Sequence, residues 1–310
     1  MIDIRGHAAT ATSRIGSALR TEPSVSEVDR STRISAVSRA VRIALPLAIF
    51  AAAAAGEALA EDVAAASRDL CFDRPGLGTP SCTLDRGRAA IEIGVGGWTR
   101  DRSAGVKTTE ATFGSWLGRI GLTDTLEAQF GWAGYTRMRT HDRKSGVTER
   151  AKGGGDATIA IRQNLRNPDG SGFSFALMPS LSLPTGNSKI GAGDVGASLL
   201  APMSLELTES LSLALTPSVE AAVDTDGKGR HPAYGGVVGL GLDISDSVSA
   251  SLELMASRDR DPAGHSTTAL TGISVAWNPA GDWQLDAGIN LGLNRNGPDR
   301  EVYFGVARRF

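Results

Sequence analysis

From Gly87 onward, apolar and polar residues alternate with a period of two. The clearest stretch is Trp283 to Asn294. Trp283, Leu285, Ala287, Ile289, Leu291 and Leu293 fall on one side, and Gln284, Asp286, Gly288, Asn290, Gly292 and Asn294 on the other. Successive side chains of a strand point to opposite faces, so this pattern predicts a strand with one apolar and one polar face. Leu211 to Val223 repeats it, with Ser212, Thr216, Ser218 and Glu220 on the polar side. Phe173 to Leu183 and Leu126 to Trp132 do the same. Further strands fit near 89–99, 108–120, 156–165, 195–207, 233–243, 248–257, 267–277 and 300–310, making about twelve.

The connections alternate too. Short turns such as LTDTL (122–126), LTESL (207–211) and NPAGD (278–282) trade places with longer polar stretches. The longer ones include 138–156, PTGNSKIGAGD (184–194) and DTDGKGRH (224–231). Strands of this length with short connections at one end and long ones at the other predict a transmembrane, antiparallel, up-and-down β-barrel of about twelve strands. Lipid cannot satisfy a free sheet edge, so such a sheet must close. A soluble sandwich or lipocalin-like barrel also alternates. It is disfavoured by a polar face rich in Gly, Ser and Thr, which suits a wet lumen, and by an apolar face without charges at the strand centres. Most of the tryptophans, with Tyr234 and Phe310, fall near strand ends, where interfacial girdles sit. Uninterrupted alternation puts Trp98 and Trp116 on the inner face.

The stretches GGGDATIAIRQNL (153–165) and FALMPSLSLPTGN (175–187), the LTD and LTES turns, and the closing WQLDAGINLGLN…VYFGVARRF resemble one family over about residues 70–310. It is the family of bacterial outer-membrane transporters labelled putative MetA-pathway of phenol degradation. The resemblance implies an outer-membrane barrel met near aromatic-degradation genes, with the solute undefined. The closing strand, with Phe304, Val306 and the terminal Phe310, is similar to the signal read by the outer-membrane assembly machinery, although Arg308 interrupts its apolar face.

The first sixty residues read differently. Ile43 to Ala55 is an uncharged run preceded by Arg33, Arg39 and Arg42 and followed by Ala58-Leu59-Ala60. A basic stretch, an apolar core and an A-x-A exit predict a secretory signal over 1–60, cleaved after Ala60. The run is shorter than the ~20 residues of a spanning helix. The stretch before it is long, which raises initiation at Val37 or Val41; N-terminal sequencing of the precursor decides this. Residues 61–86 follow as a short segment in which Cys71 and Cys82 bracket a turn rich in Gly and Pro. Export to an oxidising compartment favours a disulfide there. The barrel then occupies 87–310.

Composition narrows the chemistry. With 32 basic against 34 acidic side chains the net charge is −2, which lacks the footprint of a nucleic-acid binder. Glu127, Arg162, Glu220, Glu253 and Asp286 fall on polar strand faces and are candidate lumen-lining residues. They could form a charge-selective constriction or an internally paired network. The mature chain's histidines, His141, His231 and His265, fall in the expected loops, away from the strand-borne Ser/His pair that a barrel hydrolase needs. DTDGKG lacks the spacing of a calcium loop, and PTGNSKIGAGD lacks the ending of a phosphate loop. No catalytic residues, metal or cofactor are expected. The reading is a non-enzymatic channel passing small, aromatic or apolar solutes, with outer-membrane lipid, the assembly machinery and the solute as partners. The alternatives are a closed structural or adhesion barrel acting through its exterior loops, or a barrel hydrolase.

Overall fold

The computed structural model describes residues 68–310, apart from 104 and 228. The expected signal 1–60, with Ala58 and Ala60 at its exit, and the beginning of the 61–86 segment lie outside the described residues. Fifteen strands form one sheet. The first half holds β1 (Ala89–Ser103), β2 (Val106–Gly121), β3 (Leu126–Trp132), β4 (Tyr135–Asp142), β5 (Thr148–Gly154), β6 (Ala157–Arg166) and β7 (Phe173–Leu183). The second half holds β8 (Gly196–Leu200), β9 (Met203–Thr208), β10 (Leu211–Val223), β11 (Arg230–Ser245), β12 (Val248–Asp259), β13 (Ser266–Ala280), β14 (Trp283–Gly292) and β15 (Arg300–Arg309). β3 with β4, β5 with β6, and β8 with β9 each make one interrupted stave. Twelve antiparallel staves therefore close into a barrel, with β1 paired to both β2 and β15. Pro202 sits in the β8/β9 break, where a residue without an N–H cannot continue the ladder.

The described chain enters and leaves at one end, which also carries the short turns. Here it is called the near end. At the far end, residues 138–156, expected as a loop, are instead the hairpin β4–β5 around a turn at 143–147. Its alternation is real but inverted in polarity. Arg137 and Arg139 are exposed, while Met138 and Thr140 are buried.

The inward placement of Trp98 and Trp116 is corrected by a double bulge. Register runs Gly94↔Ser115 and then Gly96↔Phe113, so Val95 and Gly114 are each skipped. Gly114 takes a φ of +64°, a left-handed backbone that costs glycine nothing. Each skipped residue exchanges the two faces beyond it. Trp98 consequently lies beside Val302, and Trp116 beside Ile93, on the outer wall.

The wall is inside out relative to a soluble protein. Leu252 is 50% and Ile273 55% exposed, whereas Arg162 is 0% and Asn290 1% exposed. Water would not tolerate a continuous apolar belt of this kind around a polar interior, whereas a bilayer requires one. Rings edge the belt, and cations stack on them. Arg308 lies 4.9 Å from the Trp283 ring and 4.6 Å from Phe310 at the near rim; Arg300 lies 5.2 Å from Trp98 at the far rim. Arg308, the interruption in the closing strand, is thus a rim cation whose stem covers apolar surface.

Candidate functional site: a stapled segment inside the lumen

Residues 68–86 fold back into the near half of the barrel. Cys71 and Cys82 are bonded, with their Cα atoms 6.1 Å apart. The root of the segment is apolar: Phe72 and Leu84 pack with Ala90 of β1 and Ala307 of β15, and Leu70 joins them.

Beside this root lies a buried ionic network. Arg119 of β2 reaches Glu127 at 2.9 Å, Glu92 at 3.1 Å and Asp73 of the segment at 3.1 Å. Arg162 of β6 reaches Asp73 at 2.7 Å and Glu127 at 3.3 Å. Three carboxylates thus meet two guanidinium groups, and backbone N–H groups of the segment make up the difference. Asp73 and Arg74 donate to Glu92, each at 2.9 Å, and Leu84 donates to Glu127 at 3.0 Å. Arg162 and Arg119 in turn donate to the carbonyls of Cys82 and Cys71. Charges this deeply buried persist only when paired, and each of these has an opposite charge within 3.3 Å.

The tip, Arg74 to Thr79, crosses the lumen on polar contacts. Arg74 pairs with Asp286 of β14 at 2.7 Å. The N–H groups of Leu77 and Gly78 donate to the Glu253 carboxylate at 2.6 and 2.9 Å, and that of Gly76 to the Tyr303 hydroxyl at 3.1 Å. Thr79 and Thr216 exchange bonds at 3.2 and 3.0 Å. Two glycines make the fit possible. A Cβ on Gly76, whose φ is +117°, would stand 2.8 Å from a Glu253 oxygen, and one on Gly305 would stand 2.4 Å from the Arg74 guanidinium.

The five candidate lumen residues therefore separate by height. Glu127 and Arg162 hold the root, while Asp286 and Glu253 hold the tip. Glu220 points inward farther up, level with Ser198 and Ala233. Glu92, Arg119, Asp73, Arg74 and Tyr303 belong to the same arrangement and escaped the sequence reading. Arg119 escaped because alternation carried on from Thr108 assigns it to the outer face; the bulge at Gly114 turns it in. Glu92 was legible, as a lone acid between Ile91 and Ile93.

Two other motifs take structural roles. Asp156 accepts the N–H groups of Gly186 at 2.8 Å and Ala192 at 2.7 Å, pinning the 184–195 connection to the wall. His141 and His231 lie within β4 and β11, not in loops as expected. His231 faces inward at the far rim, with Nδ1 2.8 Å from Asp224 and Nε2 3.0 Å from Asp259. Carboxylates flank both ring nitrogens, so this histidine is part of an acidic cluster at the far rim.

A search of curated proteins finds no match. Solved structures of partial likeness include the NanC porin (8% identity, 70% of this chain and 98% of that one, TM-score 0.46). The translocator domain of the autotransporter NalP from Neisseria meningitidis is another (14%, 77% and 90%, TM-score 0.47), and the CymD monoaromatic hydrocarbon channel a third (9%, 73% and 88%, TM-score 0.40). A family model matches the chain through the closing strand and nearly all of the stapled loop. It matches residues 72–310 under the description "Putative MetA-pathway of phenol degradation", and the chain belongs to that family.

Proposed function

We propose that the protein is an outer-membrane channel for small solutes, held shut near its middle by the tip of the stapled segment. The observation that carries this reading is the contrast within the segment. Its root is apolar, disulfide-bonded and locked to buried charges, whereas its tip rests on one ion pair and a handful of hydrogen bonds. Such a tip can leave the lumen while the root stays in place. Beyond it, the inner wall carries Thr112, Thr136, Ser182 and Ser198 together with Glu110, Glu220 and Glu301. A hydroxyl-lined passage bearing acids admits neutral solutes and cations and repels anions. The family description makes phenol-like aromatics the first solutes to try. Phe310, Val306 and Phe304 line the outer face of the last strand, available to the assembly machinery. The alternative of a closed structural or adhesion barrel is disfavoured, because the longest far-end connection described, 184–195, is tied down by Asp156.

Planar-bilayer recording tests the reading. The wild-type protein is expected to conduct in brief, small openings, and Glu253→Gln, which weakens the hold on the tip, to stay open longer. Proteoliposomes should also take up phenol faster than protein-free liposomes. Silence from both proteins, with uptake at the protein-free rate, would overturn the channel.

A further inference from the structure

On the outer wall, just above the far-end aromatic rim, the fold sets like charges directly opposite one another. Arg100 of β1 pairs in register with Arg300 of β15. Arg102 of β1 faces Lys107 of β2. One hairpin along, Arg139 of β4 faces Arg150 of β5, and Arg137 faces Lys152. Side chains opposite each other in an antiparallel pair stand about 5 Å apart, and like charges there repel. Four such pairs side by side across β15, β1, β2, β4 and β5 are an arrangement a free protein would avoid.

The neighbouring acids do not relieve it. Asp101, Glu110 and Glu149 alternate onto the inner face. Among the described residues, the ion pair in this band is Arg102 with Asp299, at 3.5 Å and with both partners exposed. The Nε of Arg100 has no hydrogen-bond partner among the described residues. Immediately below lie Trp98, Phe113 and Tyr135, the last two exposed, where the apolar belt begins.

We infer that this band is a binding surface for a phosphorylated glycolipid of the surrounding leaflet. Its acyl chains would lie along the belt below Phe113 and Tyr135. Its phosphates would sit between the facing cations, where a guanidinium fork can take a phosphate through two hydrogen bonds. The lipid thereby completes a surface that the polypeptide leaves electrostatically unfinished. The inference rests on the barrel spanning a membrane with its far end outward.

The test compares wild-type protein with the variant R137Q/R139Q/R150Q/K152Q, both purified in detergent. Each is titrated with bisphosphorylated lipid A, with its phosphate-free counterpart and with inorganic phosphate. Bound lipid is counted by native mass spectrometry. Wild type is expected to hold the bisphosphorylated lipid about tenfold or more tightly than the phosphate-free one, and the variant to lose that preference, since each surface cation contributes modestly. Equal retention of the two lipids, or undiminished preference in the variant, overturns the inference. So does inorganic phosphate that displaces the lipid at equal concentration, which would make the site one for a free anion. The variant removes repulsion and should still show the gel shift of a closed barrel. If it does not fold, wild-type retention must fall steeply as salt rises from about 0.05 to 0.5 M, because screening shortens the reach of exposed charges; retention independent of salt counts against it. Wild-type protein that never enters bilayers defeats the channel reading instead, and is scored separately.

Discussion

The charges inside the barrel and those on its far outer rim are built on opposite plans. Inside, Arg119 and Arg162 interlock with Asp73, Glu92 and Glu127, and three backbone N–H groups of the segment donate to Glu92 and Glu127. Outside, Arg139 faces Arg150 and Arg137 faces Lys152. Burial explains the difference. A charge removed from water costs several kcal/mol unless the protein itself supplies its partners, so the interior has to be self-sufficient. A charge at an exposed rim keeps its water and can wait for a partner from outside. Opposite charges paired within mark a structural lock; like charges facing one another without mark a place where something else binds.

The largest break of that contrast is Arg162→Met. It leaves Asp73 and Glu127 to share Arg119 alone and should destabilise the barrel by about 3–5 kcal/mol, read as a lower midpoint in the unboiled-to-boiled gel transition. Arg139→Met, the same substitution on the outer rim, should leave the midpoint unchanged or raise it slightly. Equal losses at the two sites would erase the distinction between lock and open surface.

Next in size is a charge placed where the outer wall allows none. Leu252→Arg, in the middle of the belt, is expected to cost about 2–4 kcal/mol in lipid, measured by urea unfolding in liposomes. No cost there would mean that this wall does not face acyl chains.

Removing the staple sharpens the picture of the segment itself. Cys71→Ala with Cys82→Ala should cost about 2–3 kcal/mol through restored chain entropy and lengthen channel openings, with the barrel still closed on gels. Unchanged conductance would separate the disulfide from any gating. The smallest effect belongs to the rim stack. Arg308→Ala removes contacts to Trp283 and Phe310 and should lower stability by about 0.5–1 kcal/mol without altering conductance.

Much of the wall could be read directly. The alternation in Trp283–Asn294 and Leu211–Val223 gave strand positions that agree with β14 to within two residues and with β10 at both ends, because lipid on one side and water on the other impose a strict period. The pattern misled in two places, for separate physical reasons. Around Val95 and Gly114 a bulge changes the phase of alternation without interrupting the strand, which hides Arg119 and misplaces Trp98 and Trp116. In 135–154 the strands rise above the belt, where outward residues are basic, so the segment looks like a polar loop.

The sequence alone determined a closed antiparallel barrel of about twelve staves and the inward side of Glu127, Glu220, Glu253 and Asp286, since both follow from local periodicity. Only the tertiary structure decided that the stapled segment lies inside the lumen, that Glu127, Arg162, Glu253 and Asp286 are its holders, and that rim cations stand face to face. Those facts depend on contacts between residues far apart in the chain, 212 positions between Arg74 and Asp286 and 227 between Gly76 and Tyr303. Period and composition describe each strand against its solvent; they carry no information about which strand, or which segment, stands on the other side.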